Sequence, residues 1–274
     1  MSHQTRRAFV LRSVPYGENR RILDLLTKEG EILTLSCHKT GKMGPANVLS
    51  QPFILADFEL FYYKYRYSLN GGQMVYPFAG LQADFDRMTA LAHLAEVYLD
   101  ALKSQVAQPQ AYDLWAYTAS RIEQSSQPLL DVRISQFKFL CLLGFMPWLF
   151  DCVTCHRAYE PSMVFNFHLS GLECRYLHAG PGDRPSHSLA MSPGLWSALR
   201  YIVQADVPSL FNFQASPELQ AELQTFSDAY LEQIMEKNYT RLRLSQEAEA
   251  FSQRLAQARQ KPGQNPQSAD LPKL

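Results

Sequence analysis

The chain has 274 residues, enough for one large domain or two to three small ones. Apolar residues make up 46% of it, which excludes a chain disordered throughout, and a formal net charge of zero argues against a generic polyanion binder. The charge is unevenly spread: residues 1–80 hold ten Lys and Arg against six Asp and Glu, a net +4, while the remainder holds 16 against 20, a net −4. No positive segment followed by an apolar one opens the sequence, and no apolar run reaches the ~18 residues of a membrane span. The five cysteines (37, 141, 152, 155 and 174) therefore read as reduced thiols of a cytoplasmic protein.

Residues 5–76 read as strands. "TRRAFVLRSV" is an apolar-rich run closed by Pro15, and "NRRILDLLTKEG" turns at Glu29-Gly30 into "EILTLSCH". "HKTGKMGPANVLSQPF" reads as a long loop. "ILADFELFYY" alternates, with Ala56, Phe58 and Leu60 on one face, and Asn70-Gly71 in "YRYSLNGGQMVYPF" signals a hairpin. About five short strands predict a small closed barrel, SH3-like or OB-like.

At Asp84 the period becomes helical: Phe85, Met88, Leu91, Ala92, Ala95, Tyr98, Leu99 and Leu102 share a face. Further helices are predicted over about 110–124 and 130–144. The second of these is apolar on most sides, hence the centre of a bundle, and is stopped by Gly144 and Pro147. Helices resume at "SPGLWSALRYIV" and over 217–235. The resulting division is a basic barrel, 1–80; a helical domain, 81–147 and 190–250; a cysteine-bearing insert, 148–189; and a Gln/Pro/Lys-rich tail, 256–274, expected to be disordered.

The insert carries Cys152-x-x-Cys155, a competent first pair for tetrahedral zinc, and Cys174 follows in the usual spacing range. A second Cys-x-x-Cys would place a thiol at 177, which is Leu177. His178 is next, so Cys152, Cys155, Cys174 and His178 form a candidate ligand set, with His156 and His168 as poorer fourth ligands. The competing reading keeps the ribbon shape without metal, Phe165, Phe167 and Leu177 packing in place of an ion. Cys37 and Cys141 read as core thiols.

The barrel interleaves cations and aromatics, as single-strand binding requires. Candidate phosphate contacts are Arg20, Arg21, Lys39, Lys42, Lys64 and Arg66, and candidate base stackers are Tyr65 and Tyr67. For each cation the alternative is a solvated surface charge, and for each tyrosine it is strand packing. Enzyme signatures are missing: "HKTGKMG" lacks the Walker A residues, and no G-x-G-x-x-G, G-x-S-x-G or H-E-x-x-H occurs. The reading is a binding protein, not an enzyme.

"AFVLRSVPYGENRRILDLLTKEGEILTLSCHKTGK", then "LSQPFILADFELFYY", then "FKFLCLLGFMPWLFDCVTC" resemble, in order and spacing, the RecO family of bacterial recombination mediators. The matched positions include Tyr16-Gly17-Glu18, Leu26-Thr27, Gly30, Leu140, Gly144, Pro147, Cys152 and Cys155. The resemblance implies an α+β multidomain chain: an N-terminal OB-fold barrel followed by an α-helical domain with a zinc-finger-like insert. It further implies binding of single- and double-stranded DNA, annealing of complementary strands, and help in loading RecA onto DNA coated with single-strand-binding protein. The implied partners are RecR and the acidic, apolar C-terminal tail of the single-strand-binding protein. Arg121, Arg133 and Lys138 are candidates for that tail contact, and the implied setting is the bacterial cytoplasm, near the nucleoid. The missing fourth cysteine departs from zinc-bearing relatives and puts the one structural zinc in question. A non-enzymatic scaffold whose SH3-like barrel binds peptides is the alternative.

Overall fold

Five strands close into a barrel in the computed structural model, which describes residues 2–38, 45–103, 107–175, 187–245 and 247. They are β1 (Ser2–Tyr16), β2 (Arg20–Thr27), β3 (Ile32–His38), β4 (Leu55–Tyr63) and β5 (Arg66–Tyr76), in the order β1-β2-β3-β5-β4. All neighbours are antiparallel except β3 and β5, and β1 closes on β4. A five-stranded closed barrel of this connectivity is an OB-fold, which settles the choice against an SH3-like barrel. Alternate residues point inward: Ala8, Val10, Leu23, Leu25, Leu35, Cys37, Ala56, Phe58 and Leu60 make one buried cluster.

β1 is longer than predicted. It pairs with β4 up to Phe9 and with β2 from Ala8 on, and the register slips between Val10 and Arg12. That bulge bends the strand so that one chain segment serves both sides of the seam. Pro15 lies inside β1 rather than ending it, because at this end β1 has only β2 as a partner. The Asn70-Gly71 hairpin is corrected. The β4–β5 turn is Lys64-Tyr65, and Asn70 falls in a bulge of β5, between partners Leu60 and Glu59 of β4. Gly72 is required there, since a Cβ would lie 2.4 Å from the Asp57 carbonyl oxygen.

Short helices α1 (Pro45–Val48) and α2 (Ala79–Gln82) flank β4 and β5, and a helical bundle follows. It comprises α3 (Phe85–Leu102), α4 (Pro109–Gln124), α5 (Pro128–Leu142), α6 (Pro193–Gln204) and α7 (Pro217–Met235). Asp84 caps α3 by accepting from Arg87 N at 2.9 Å, and Ser192 and Ser216 cap α6 and α7 in the same way. Prolines occupy the first turns of α4 to α7, where no donor is needed. α5 is the expected centre: residues 131–140 are all buried. Between α5 and α6 the insert folds as a four-stranded sheet in the order β6-β8-β7-β9. Its strands are β6 (Trp148–Cys152), β7 (Val164–Asn166), β8 (Gly171–Glu173) and β9 (Ser188–Ala190).

Barrel, bundle and insert lie in one compact unit, residues 1–239. Gly30 turns β2 into β3 at φ +79°, and a Cβ there would lie 1.9 Å from the Gln108 carbonyl oxygen. Gln108 N donates to Gly30 O at 3.1 Å, so the start of α4 docks on this turn. A second unit begins at Thr240, where residues 241–245 are helical. The expected disorder of 256–274 lies outside the described residues. Among the described residues, no helix is long and apolar enough to cross a membrane.

The polar groups of α5 are satisfied internally. Gln136 Oε1 accepts from His93 Nε2 at 2.6 Å and Gln136 Nε2 donates to Ser227 Oγ at 2.8 Å, while His93 Nδ1 is buried without a partner. Burial brings the His93 pKa down from 6.5 to about 4, against the opposing pull of the Gln136 hydrogen bond. A depressed histidine favours the folded state most when neutral. Its contribution is therefore complete above pH 6.5 and is lost as pH falls toward 4, by up to ~3 kcal/mol. Urea unfolding at pH 7.5 and 4.5 should show this loss, and His93→Gln, which cannot titrate, should flatten it.

Candidate nucleic-acid interface and cysteine cluster

The outward residues of the barrel fall in rows set by register. Tyr16, Arg20 and His38 form one row, Val14, Ile22, Ser36 and Ser68 the next, and Arg12, Asp24 and Thr34 a third that Arg66 extends. Arg20 and Arg66 are thus two rows apart, about 13 Å along the strands. Arg20, His38 and Arg66 are exposed, and Tyr16 is 62% exposed. Asp24, wholly buried on this face, binds Arg12 Nε at 2.7 Å and Thr34 Oγ1, with Lys103 of the α3 C-cap 3.7 Å away. Arg12 is therefore partly neutralised. Arg20 and Arg66 make no ion pair or hydrogen bond with any described residue, and their charge faces water.

The β4–β5 tip carries the rest. Lys64 and Tyr65 have φ of 46° and 61°, both left-handed, as a two-residue hairpin turn matching the strand twist demands. Such turns favour Asn-Gly, and each bulkier residue costs of order ~1 kcal/mol. Tyr65, 93% exposed, stands on the turn, and Lys64 Nζ lies 5.2 Å from the Tyr63 ring. His3 meets Phe61 at a tilt, 5.2 Å between centroids, and Phe61 stacks on Tyr63 at 6.4 Å.

Other sequence candidates are placed differently. Arg21 Nε donates to Ser13 Oγ at 2.7 Å and its Nη2 to Ser13 O at 3.2 Å, so two donors are engaged inside the barrel rim. Tyr67 turns inward onto the barrel core and packs against Tyr62 at 4.7 Å. Lys39, Lys42 and His178 lie outside the described residues. Sequence reading passed over Arg12, Tyr16 and His38, although the period-two spacing of Arg12, Val14 and Tyr16 was a signal for one face.

Of the bundle cations, Arg133 is 2% exposed and holds Asp228 with two nitrogens at 2.9 Å while donating to Leu129 O. Lys138 Nζ donates to the carbonyls of Ile202, Val203 and Ala205 at 3.1, 2.9 and 2.6 Å, closing the C-terminus of α6. Burial lowers its pKa, opposed by the charges of Cys141 and Asp206. Arg121 pairs with Asp131 at 3.1 Å and lies over Phe211, and half its side chain is exposed. A small apolar cleft beside Arg133 is lined by Ile134, Phe137, Leu199, Ile202 and Leu223.

The thiols of Cys152, Cys155 and Cys174 lie within 4.8 Å of one another, and those of Cys155 and Cys174 are 3.7 Å apart. Two thiolates on one tetrahedral zinc, with Zn–S near 2.3 Å, sit about 3.8 Å apart, so the three donors fit such an ion. His156 N donates to Cys152 O at 2.9 Å, closing the turn, and His156 takes φ +57°, a conformation that favours glycine. Burial raises Cys152, but the N–H groups of Cys155, Thr154 and Cys174 and the Cys155 thiol outweigh it and bring the thiol down. Burial and the two neighbouring thiols push Cys174 up. Among the described residues no fourth ligand joins the cluster. His156 faces Asp151 at 3.7 Å, and His168 stacks on His187. Cys37 is a buried core thiol, and burial pushes Cys141 up to about 12.

The architecture is an OB barrel with unpaired cations and exposed aromatics, joined to a helical bundle with a three-thiol ribbon. The family model described as "Recombination protein O C terminal" matches residues 82–243, and the chain belongs to the RecO family. A protein of Acetivibrio thermocellus named DNA repair protein RecO is 28% identical over 88% of this chain and 96% of its own length. Proteins of the same name from Exiguobacterium sibiricum and Bacillus subtilis are 27% and 24% identical, over 86% and 82% of this chain and 91% and 86% of theirs.

The turn residues yield a direct expectation. Replacing Lys64 and Tyr65 together, as Lys64→Asn and Tyr65→Gly, should raise unfolding stability by about 1–2 kcal/mol. Urea midpoints of the two chains measure it. A midpoint unchanged or lowered would show that the hairpin is not strained.

Proposed function

We propose that the chain is a non-enzymatic DNA-repair protein that binds single- and double-stranded DNA on the outer face of its barrel and anneals complementary strands. In this reading it helps load RecA onto DNA coated with single-strand-binding protein, together with RecR. The observation that carries it is the pair of unpartnered cations, Arg20 and Arg66, on the OB face beside Tyr16, Tyr63 and Tyr65. Phosphates would meet the arginines and bases the rings, a mode that tolerates any sequence and weakens steeply with salt. Family membership supports the DNA-repair setting.

Fluorescence anisotropy with a labelled oligonucleotide should show binding at about 50 mM salt, and labelled complementary strands should anneal faster with the protein. Arg20→Gln with Arg66→Gln should weaken binding roughly tenfold with no change in melting temperature. Absence of binding by the unaltered chain would sink the reading. For the tail of the single-strand-binding protein, support narrows from three cations to Arg121, since Arg133 and Lys138 are buried and engaged. In the same series, calorimetry with the tail peptide should give heat that Arg121→Ala removes.

The cysteine cluster would hold one structural zinc through Cys152, Cys155 and Cys174, with His178 proposed as the fourth ligand. The ion would supply a cross-link to a segment whose own sheet is small. Elemental analysis of folded protein purified without added zinc should find close to one equivalent, reduced by Cys174→Ser. A content below about 0.2 equivalents would exclude a resident ion.

A further inference from the structure

Trp148 and Phe150 alternate outward from β6, 47% and 51% exposed, with ring centroids 5.2 Å apart. The Arg200 guanidinium on α6 lies 5.6 Å from the Phe150 ring and 4.7 Å from the Trp196 ring. Trp196 stacks in parallel on Tyr159 at 4.2 Å. Residues 196 and 200 are one helical turn apart, so α6 presents ring and cation on one line that β6 continues. The result is a ladder of aromatic faces interrupted by one cation, outside the barrel.

Three features indicate what covers it. Arg200 makes no ion pair or hydrogen bond with a described residue, so its charge is met there only by the Phe150 and Trp196 rings and stays available to an anion. Trp148 and Phe150 meet edge to face, with Trp148 Nε1 donating to Asp151 at 2.7 Å, so each half-exposed ring offers its own face to the π-face of a base, where an aliphatic anchor would need a concavity. The outer edge of β6 is already closed. Leu149 O accepts from Trp196 Nε1 at 2.9 Å, Cys152 N donates to Arg157 O at 2.8 Å, and Asp151 bridges to Ala158. An extended peptide cannot add there as a further strand.

We infer that Trp148, Phe150 and Arg200 form a second contact for single-stranded nucleic acid, the rings stacking bases and the guanidinium meeting a backbone phosphate. This rests on the reading of the chain as a DNA-binding protein and adds a surface distinct from the barrel. Two such surfaces on one chain allow two strands to be held together, as annealing requires.

The test titrates the full chain with an oligothymidine of roughly 20 nucleotides, following tryptophan fluorescence and, separately, anisotropy. Trp115 is wholly buried and Trp196 half-buried, so Trp148 is the tryptophan open to a base. Binding should quench the fluorescence. Trp148→Leu with Phe150→Leu keeps apolar bulk but removes the ring faces, and should weaken binding roughly tenfold and remove most of the quench. Arg200→Lys keeps the charge but loses the planar stack, and should weaken binding several-fold with an unchanged melting curve. The barrel variant, Arg20→Gln with Arg66→Gln, should still quench at higher oligonucleotide concentration. Wild-type affinity and quench in both ladder variants would overturn the proposal, as would fluorescence change with an acidic apolar peptide and none with DNA. In either case the barrel reading survives if anisotropy still reports binding. No anisotropy change with any oligonucleotide would overturn both.

Discussion

A buried line of aromatic rings ties the barrel to helices α3, α4 and α5. Phe9 on β1 meets Tyr112 and Trp115 of α4, Trp115 meets Tyr98 of α3, and Tyr98 stacks on Phe139 of α5 at 3.8 Å and 12°. All but Tyr112 are at most 1% exposed. Rings of this size contribute through buried area and through tilted or offset contacts, and truncating one to alanine typically costs ~3–5 kcal/mol. The line runs from the seam strand of the barrel to the central helix of the bundle, so neither element can shift without breaking it. Gly30 against Gln108 adds a backbone contact with no room for a side chain.

With the barrel fixed from this side, its remaining faces are free, and the charges sort accordingly. Cations that the bundle buries are neutralised or bonded: Arg133 by Asp228, and Lys138 by three carbonyls. Removing either partner would strand a desolvated charge, so these residues specify the interior and are poorly suited to an incoming ligand. Arg20, Arg66 and Arg200 are left without acids, each near exposed rings. A formal charge of zero thus conceals cations without acidic partners on two surfaces, set beside exposed rings. Composition averages over position, and position decides the partner.

The helices were legible because their burial stripes repeat at helical period and their ends carry Asp84, Ser192, Ser216 and prolines. The strand count and the barrel were legible from alternation. The β4–β5 turn was not, since left-handed Lys64 and Tyr65 break the local preference that Asn70-Gly71 satisfies, and pairing across β4 overrode the local signal. Arg133 and Lys138 were read as surface cations, although a helix apolar on most sides leaves its polar residues little choice but to point inward and find partners there. Their partners, Asp228 and the end of α6, lie 64 or more residues away in sequence, beyond any local pattern. The thiol triad was legible from spacing alone, because a two-residue gap confines two thiols to one turn.

The cysteine turn and the ladder share a strand, which gives the insert a mechanical logic. β6 ends on Cys152, whose carbonyl is held by His156 N and whose N–H is held by Arg157 O. Its middle is held by Trp196 through Leu149 O. Pinned at both points, β6 turns Leu149 inward between outward-facing Trp148 and Phe150, and its register slips before Cys152, which is buried as well. An ion on the three thiols would tighten the first of these anchors without touching the second. A turn with three cysteines can then still hold the exposed rings in place, since the indole of α6 anchors the strand independently of any metal. The three-thiol turn is thus part of the frame that holds Trp148 and Phe150 outward.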